Sequence, residues 1–355
     1  MLLIKRCSLY TFALLFLIAC KPSRNTNLEN STGKPGSLVV TADKAVLNDL
    51  KAEIDNAFLT PLPTGEDPFL ELLRPALADF NQFFFNKKTI LVLVVNGNTA
   101  DMGDLLSPFE EDPIENYTNK KEAVIVTKSD VLAKNQHIVY LFAPDMATLK
   151  SKLITDREAL INLLIGFELA DRQKEIFSDS SSVNTKYATT FKEKYGMFVK
   201  IPSDYKVIRE TSNFYWFQKD IANEKGKGNI GLIVHAYPYK DSNDLTYTNM
   251  RSMRDSFCKY NIPGELPGTY MSTSESETYP KVITQNITIA GHKGVKIKGW
   301  WTIKGIAMSG PYVRYVIQVP EQNSIFVFEG FIYKDVLEFK EGELRTIEAI
   351  ALTIQ

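Results

Sequence analysis

The run Thr89–Val95, TILVLVV, constrains this chain more than any other segment. Its residues are apolar or β-branched without interruption, so a strand made of them has no polar side to present to water. Such a strand belongs inside a sheet that helices cover on both faces. The neighbouring segments agree. Ser37–Thr41 reads as a short β-branched strand, and over 44–58 the residues Leu47, Leu50, Ile54 and Phe58 recur at helical spacing. Pro61, Pro63 and Gly65 then break the chain. The spacing predicts a helix over about 68–85 that buries Leu72, Leu73, Leu77, Phe80 and Phe84. Strands at 122–127 and 136–143 follow, then a long helix over 145–177 with Asp145 as its N-cap.

The Ser-rich stretch 178–185 reads as an exposed connection and 189–195 as a short helix. Beyond it the chain is dense in strands, predicted at 197–201, 213–219, 230–238, 284–290, 294–304, 312–319 and 325–333. One helix is predicted near 246–260. Another closes the chain at 338–352, with Leu344, Ile347, Ile350 and Ala351 on one face. The expected fold class is therefore α+β: an N-terminal α/β layer domain over 37–185 and a C-terminal antiparallel sheet with flanking helices over 186–355. The second unit is loosely similar to the sandwich shared by the PsbP-type photosystem proteins and the Mog-one Ran-binding proteins. That fold carries unrelated binding functions and constrains activity weakly.

The segment before residue 37 reads as an address. Lys5 and Arg6 precede an apolar run over 9–19, shorter than the roughly 20 residues a spanning helix needs. Residues 1–19 thus read as a signal peptide. Leu17-Ile18-Ala19-Cys20 looks like a bacterial lipobox, in which cleavage falls between Ala19 and Cys20 after the thiol receives a diacylglycerol. Two or three acyl chains anchor stably where one does not, at about 0.8 kcal/mol per buried CH₂. Residues 20–36 are expected to form the lipidated cysteine and a flexible polar linker.

Loss of Lys5 and Arg6 with the leader leaves 39 basic against 42 acidic residues, a balance that argues against nucleic acid as a partner. Cys7 leaves with the leader and Cys20 becomes acylated, so Cys258 alone cannot form an intramolecular disulfide.

Several strings occur in one recurrent order: GKPGSLVV at 33–40, LPTGEDPF at 62–69, YGMFVKIPSDYKV at 195–207, IVHAYPY at 233–239, RDSFCKYNIPGELPGTYM at 254–271, GWW at 299–301, MSGPYV at 308–313 and EGFIY at 329–333. Together they resemble an uncharacterised family of Bacteroidota lipoproteins filed as a domain of unknown function. The resemblance extends over nearly the whole mature chain and implies a membrane-tethered envelope protein, but no catalytic residue to carry over. Lipoproteins of that group sent to the cell surface typically carry acidic residues after the cysteine. Here Lys21 and Arg24 stand instead, which points to the periplasmic face of the outer membrane.

The chain offers little chemistry by motif. His137, His235 and His292 have no second histidine at metal-ligand spacing, and Glu110-Glu111-Asp112 with Glu115 lacks the turn glycine of a calcium loop. Ser203-Asp204-Tyr205-Lys206 matches S-x-x-K but lies in a strand–turn context rather than at a helix start. Cys258 has no histidine near it in sequence and reads as a structural thiol. No catalytic residue, metal or cofactor is expected.

What remains is binding surface. Alternation in VKIKGWWTIK puts Val295, Ile297, Trp301 and Ile303 on one side and Lys296, Lys298, Trp300 and Lys304 on the other. Trp300 beside Lys298 is a candidate contact, set against the alternative that a loop or helix covers it. Leu266 and Tyr270, in the turn-rich segment Ile262–Tyr270, are the second candidates. The expected function is a lipid-anchored, non-catalytic binding or scaffolding module. Its expected partners are the bilayer, through acylated Cys20, and an envelope protein. A carrier of lipid or a small apolar ligand is the alternative, and an envelope hydrolase the third reading.

Overall fold

The computed structural model describes residues 28–60, 71–97, 103–223, 226–334 and 341–355. Residues 1–19, read as a leader ending at Ala19, together with Cys20 and the breakers Pro61, Pro63 and Gly65, lie outside the described residues.

The first unit runs β1 (Ser37–Thr41), α1 (Lys44–Asp49), α2 (Lys51–Phe58), β2 (Glu71–Leu73), α3 (Gln82–Phe85), β3 (Thr89–Val95), α4 (Glu115–Thr118), β4 (Val124–Ser129), β5 (His137–Ala143), α5 (Met146–Thr155) and α6 (Arg157–Ile176). Its sheet has the order β2-β1-β3-β5-β4, parallel throughout except for the antiparallel edge strand β4. The run TILVLVV occupies the centre and is buried at every position. Leu91, Leu93 and Val95 face the helices α1, α2, α5 and α6, while Ile90, Val92 and Val94 face the opposite core with Tyr140 and Phe142. The continuous apolar strand is therefore covered on both sides, as its composition requires.

A single helix over 68–85 does not form. Glu71–Leu73 is instead a strand parallel to β1, with Leu72 opposite Leu38, and the only α-helix among the described residues there is the short α3. Pro75 explains the break, since it has no N–H to give and disfavours the helical region for Arg74 before it. Asn81 starts the chain afresh by accepting the Phe83 N–H at 3.0 Å. The segments read as helices over 44–58 and 145–177 are each two helices, reset at Leu50 and at Asp156. Asp145 caps α5 as expected, accepting the Thr148 N–H at 2.7 Å.

Residues expected to form a linker through 36 are tied down from Glu29 onward, whose carbonyl accepts the Lys134 N–H at 2.8 Å. Asn30 and Thr32 make parallel bridges to Lys134 and Lys87, and Ser31 donates its N–H to the Lys134 carbonyl at 2.8 Å.

The second unit comprises α7 (Thr185–Tyr195), β6 (Lys206–Glu210), β7 (Phe214–Asn223), β8 (Gly226–Pro238), α8 (Tyr247–Asn261), β9 (Tyr270–Thr273), β10 (Ile283–Ile289), β11 (His292–Lys304), β12 (Ser309–Val319), β13 (Ser324–Lys334) and α9 (Glu341–Ala351). All its strands pair antiparallel in the order β10-β11-β12-β13-β8-β7-β6, with β9 also on β11. α7 and α9 cover one face, where Phe191, Tyr195, Ile347 and Ile350 meet Phe217, Val234 and Phe328. α8 covers the other, where Met250 and Cys258 meet Ile297, Trp301 and Val327. The molecule is thus an α+β protein whose antiparallel sheet has helices on both sides.

Gly330 marks where α9 approaches most closely: a Cβ there would stand 2.2 Å from the Ile347 side chain. On its outer side α9 packs against α6, and the Gln173 amide donates to the Ala349 carbonyl at 3.3 Å.

Three features of this unit depart from the sequence expectation, the first being the short strand β9, which pairs with β11. Met197, Val199 and Ile201 alternate inward but join no ladder; Phe198 exchanges backbone hydrogen bonds of 2.8 and 3.0 Å with Gln355 instead. β6 forms although all five of its residues are exposed, so no burial period announces it.

Candidate interaction surface and the charge cluster beneath it

α8 presents the stripe Met250, Arg254, Cys258 and Asn261 to the sheet, one residue every three or four. An arginine in a buried stripe needs a partner, and the strands supply one. Glu329 on β13 takes both carboxylate oxygens to Arg254, with Nε–Oε distances of 3.0 Å and an Nη2–Oε1 distance of 2.7 Å. Arg314 on β12 donates from Nη1 to the same carboxylate at 2.7 Å, and its Nη2 stands 3.4 Å from Nε2 of His235 on β8. The Arg254 guanidinium also lies 4.1 Å from the Tyr312 ring centroid and donates to Thr273 Oγ1 at 3.2 Å. Thr273 is held in turn by Asp255, which accepts its N–H at 2.7 Å. Arg254, Arg314, Glu329 and His235 are all at most 1% exposed.

Charge balances here, two guanidiniums against Glu329 and the partly buried Asp255. Burial alone would raise the Glu329 carboxyl, but Arg254 and Arg314 together outweigh it and hold it below the usual carboxylate range. Burial, helped by the Arg314 charge, pushes His235 well below the ordinary imidazole value, so the ring is neutral. Burial pushes the Cys258 thiol up to about 12, which makes it an inert structural group. This cluster pins α8 to the sheet, and so fixes what lies at the helix's end.

That end is the exposed part. After Asn261 the chain turns through Ile262–Thr269 into β9. Gly264 donates its N–H to the Thr269 carbonyl at 2.9 Å, and Thr269 returns N–H and Oγ1 bonds of 3.1 and 2.6 Å to the Leu266 carbonyl. Gly268 occupies the left-handed region at φ 80°, which favours glycine. The result is a braced tip carrying Leu266, 59% exposed, beside Tyr260, 73% exposed. Tyr270 stands at the base, with the Lys259 ammonium 5.4 Å from its ring centroid. Arg209 Nε donates to Asn261 Oδ1 at 3.0 Å, tying the β6 edge to the same end of α8. Tyr260 was not among the sequence candidates; the available signal was its position off the buried stripe of an amphipathic helix.

The other two candidates sit elsewhere. Trp300 stacks on Tyr279 at 5.2 Å between centroids, so the loop before β10 lies over it. Lys298 is ion-paired to Glu348 of α9 at 3.0 Å, together with Lys296. The lysine face of β11 thus meets α9, which is the covered alternative and not the open contact surface. Burial would raise the Glu348 carboxyl, but Lys298, Lys296 and Arg345 hold it far below its ordinary range.

Among the described residues, no group of three or more His, Cys, Asp or Glu converges as a metal ion would require. His137 bonds Asp171 at 3.0 Å and His292 lies 3.8 Å from Glu321, both apart from His235. In the S-x-x-K string, Asp204 pairs with Lys219 at 2.6 Å. No described helix is long and apolar enough to cross a membrane.

Comparison with known proteins bears on this second unit. Residues 184–353 match the family model described as "Domain of unknown function (DUF4837)". The match begins just before α7 and ends two residues past α9, leaving GKPGSLVV and LPTGEDPF outside it. No curated protein matches the chain. Among solved structures, the Saccharomyces cerevisiae Ran-binding protein Mog1p is similar at 13% identity and a TM-score of 0.29, over 46% of this chain and 92% of that one. LpqN of Mycobacterium tuberculosis, involved in cell envelope biogenesis, is similar at 13% identity and a TM-score of 0.24, over 44% of this chain and 79% of that one. Scores at this level carry no functional argument.

The neutral state of His235 has a measurable consequence. Its folded pKa lies below the unfolded value, so its contribution is complete above about pH 6.5 and is lost as pH falls towards the folded pKa. Wild type is expected to lose about 1.4 kcal/mol between pH 7.5 and 5.5 from this group. Urea unfolding at the two pH values checks this, and His235→Gln should lose most of that drop.

Proposed function

We propose that this chain is an envelope lipoprotein, held by acylated Cys20 at the periplasmic face of the outer membrane, which binds a protein partner and performs no chemistry of its own. The contact surface is the ridge of Tyr260, Leu266 and Tyr270, extended along β6 by Ile208. One observation carries the binding part of this reading: among the described residues, the two most exposed large apolar side chains of the second unit, Tyr260 and Leu266, stand beside and on a hydrogen-bonded tip rather than on a slack loop. Groups ordered before binding lose little entropy on contact, and aromatic anchors dominate interface energetics. The charged cluster of the same unit is sealed beneath α8, where it holds the ridge in place. The anchor rests on the Leu17–Cys20 motif and the apolar run before it.

A photo-crosslinkable residue in place of Leu266, in intact cells, is expected to yield a discrete adduct with one envelope protein. The same residue in place of exposed Lys121 should not. Tyr260→Ser with Leu266→Ser should lower recovery of that partner at least tenfold, since removing two anchors of this kind exceeds about 1.4 kcal/mol. Adducts that are the same at Leu266 and Lys121 would contradict the assignment of the surface.

A further inference from the structure

The first unit also carries an exposed aromatic group, and its position relative to the pinned N-terminal segment says what it meets. Phe83 of α3 is 62% exposed, yet its mount is rigid. It contacts Phe84 edge-to-face at 5.0 Å, and Phe84 stacks on Phe80 at 5.7 Å, both packed against the core. The Lys87 ammonium sits over the Phe83 ring, 4.2 Å from its centroid. Directly alongside runs the start of the described chain. Thr32 donates its N–H to the Asn86 carbonyl and bridges Lys87, while the Asn86 amide donates to Glu29 Oε2 at 3.0 Å. Glu29 and Thr32 are thus bonded to residues three and four positions from Phe83.

Cys20 lies eight residues before Leu28. Eight residues span at most about 28 Å even when fully extended. Eight residues of coil span only about 16 Å r.m.s., less than the radius of gyration of about 20 Å for a folded body of this length, so an anchor at Cys20 keeps the neighbourhood of residues 28–32 nearest the bilayer. The far side stays away. The ridge at Leu266 is on that far side, because α8 covers the sheet face opposite the one whose α9 packs on α6.

We propose that Phe83, with Lys87, is a bilayer contact. The phenyl ring inserts at the headgroup–acyl boundary, and the Lys87 ammonium lies level with the lipid phosphates. Exposed Lys134, bridged to Asn30, adds a second positive charge on the same side. The contact orients the body so that the partner ridge projects into the aqueous space. It rests on the reading of Cys20 as the anchor.

The test uses full-length protein purified from membranes and placed in vesicles of phosphatidylethanolamine and phosphatidylglycerol. Gln82→Cys, labelled with an environment-sensitive fluorophore, keeps the Phe83 ring, and buried Cys258 stays unlabelled. Shallow nitroxide-bearing lipids are expected to quench this probe at least threefold more than one at Leu266→Cys. Adding Phe83→Ser should reduce the quenching at least twofold. Equal quenching at the two sites, or no effect of Phe83→Ser, would overturn the contact. The intact mass of the same sample separates the two readings: lipidated protein without selective quenching sinks the Phe83 contact alone, whereas unlipidated protein sinks the anchor and the contact together. Vesicles of phosphatidylethanolamine alone should weaken the selective quenching, and no change there would remove Lys87 and Lys134 from the contact.

Discussion

Glu329→Gln is expected to destabilise the protein by about 3–5 kcal/mol, well beyond the effect of any surface substitution. The substitution keeps the shape of the side chain and removes its charge. Arg254 and Arg314, each about 1% exposed, would then share a buried site with no full counter-charge except the partly exposed Asp255. Uncompensated burial of this kind is far more costly than loss of a surface pair. Asp204→Asn, which breaks the exposed 2.6 Å pair with Lys219, should change stability by less than about 1 kcal/mol. Urea midpoints for the two variants give the contrast directly. The larger loss is a substantial share of the roughly 5–15 kcal/mol that holds a typical domain together. An effect of Glu329→Gln below about 1 kcal/mol would mean that the cluster does not hold α8 on the sheet.

That cluster is partly legible in the order of the amino acids. Alternation places Arg314 between Tyr312 and Val316, and Glu329 between Val327 and Phe331, at positions where an inward strand face calls for apolar groups. Charges at such positions require partners, but sequence alone does not say that α8 brings a second arginine to the same carboxylate. The central strand TILVLVV declares its own burial, since nothing in it could face water. β2 is obscured because Leu72 and Leu73 fit helical spacing as well as a three-residue strand, and Pro75 is the residue that decides between them. β6 has no burial period to read, because an exposed edge strand imposes none. The lysine face of β11 looks wet for a similar reason. Alternation separates the two sides of a strand but does not say that Glu348 of α9 will arrive to pair with Lys296 and Lys298. Tyr270 and Leu266 are marked by their turn-rich surroundings, whereas Tyr260 is hidden in a helix whose partner face only tertiary packing reveals.

Cys20→Ser is the second substitution with a large expected effect. Serine cannot accept the diacylglyceryl thioether that the Leu17–Cys20 motif implies, so acyl labelling should vanish completely. Among the described residues no helix could replace the lost anchor by crossing the bilayer. A single inserted aromatic ring with a lysine holds a membrane far more weakly than two or three acyl chains at about 0.8 kcal/mol per CH₂. Because cleavage at this motif follows lipidation, the variant is compared with residues 1–19 replaced by a leader cleaved without lipidation. That chain should fall at least tenfold in the membrane pellet after a high-salt wash, with its fold unchanged. The anchor is the premise on which both the orientation of the body and the outward projection of the ridge depend. Its most direct measurement is the intact mass of wild-type protein purified from membranes. The account predicts a chain that begins at Cys20 and carries a diacylglyceryl group together with an N-linked acyl chain; a chain that begins elsewhere, or a free Cys20 thiol, would contradict it.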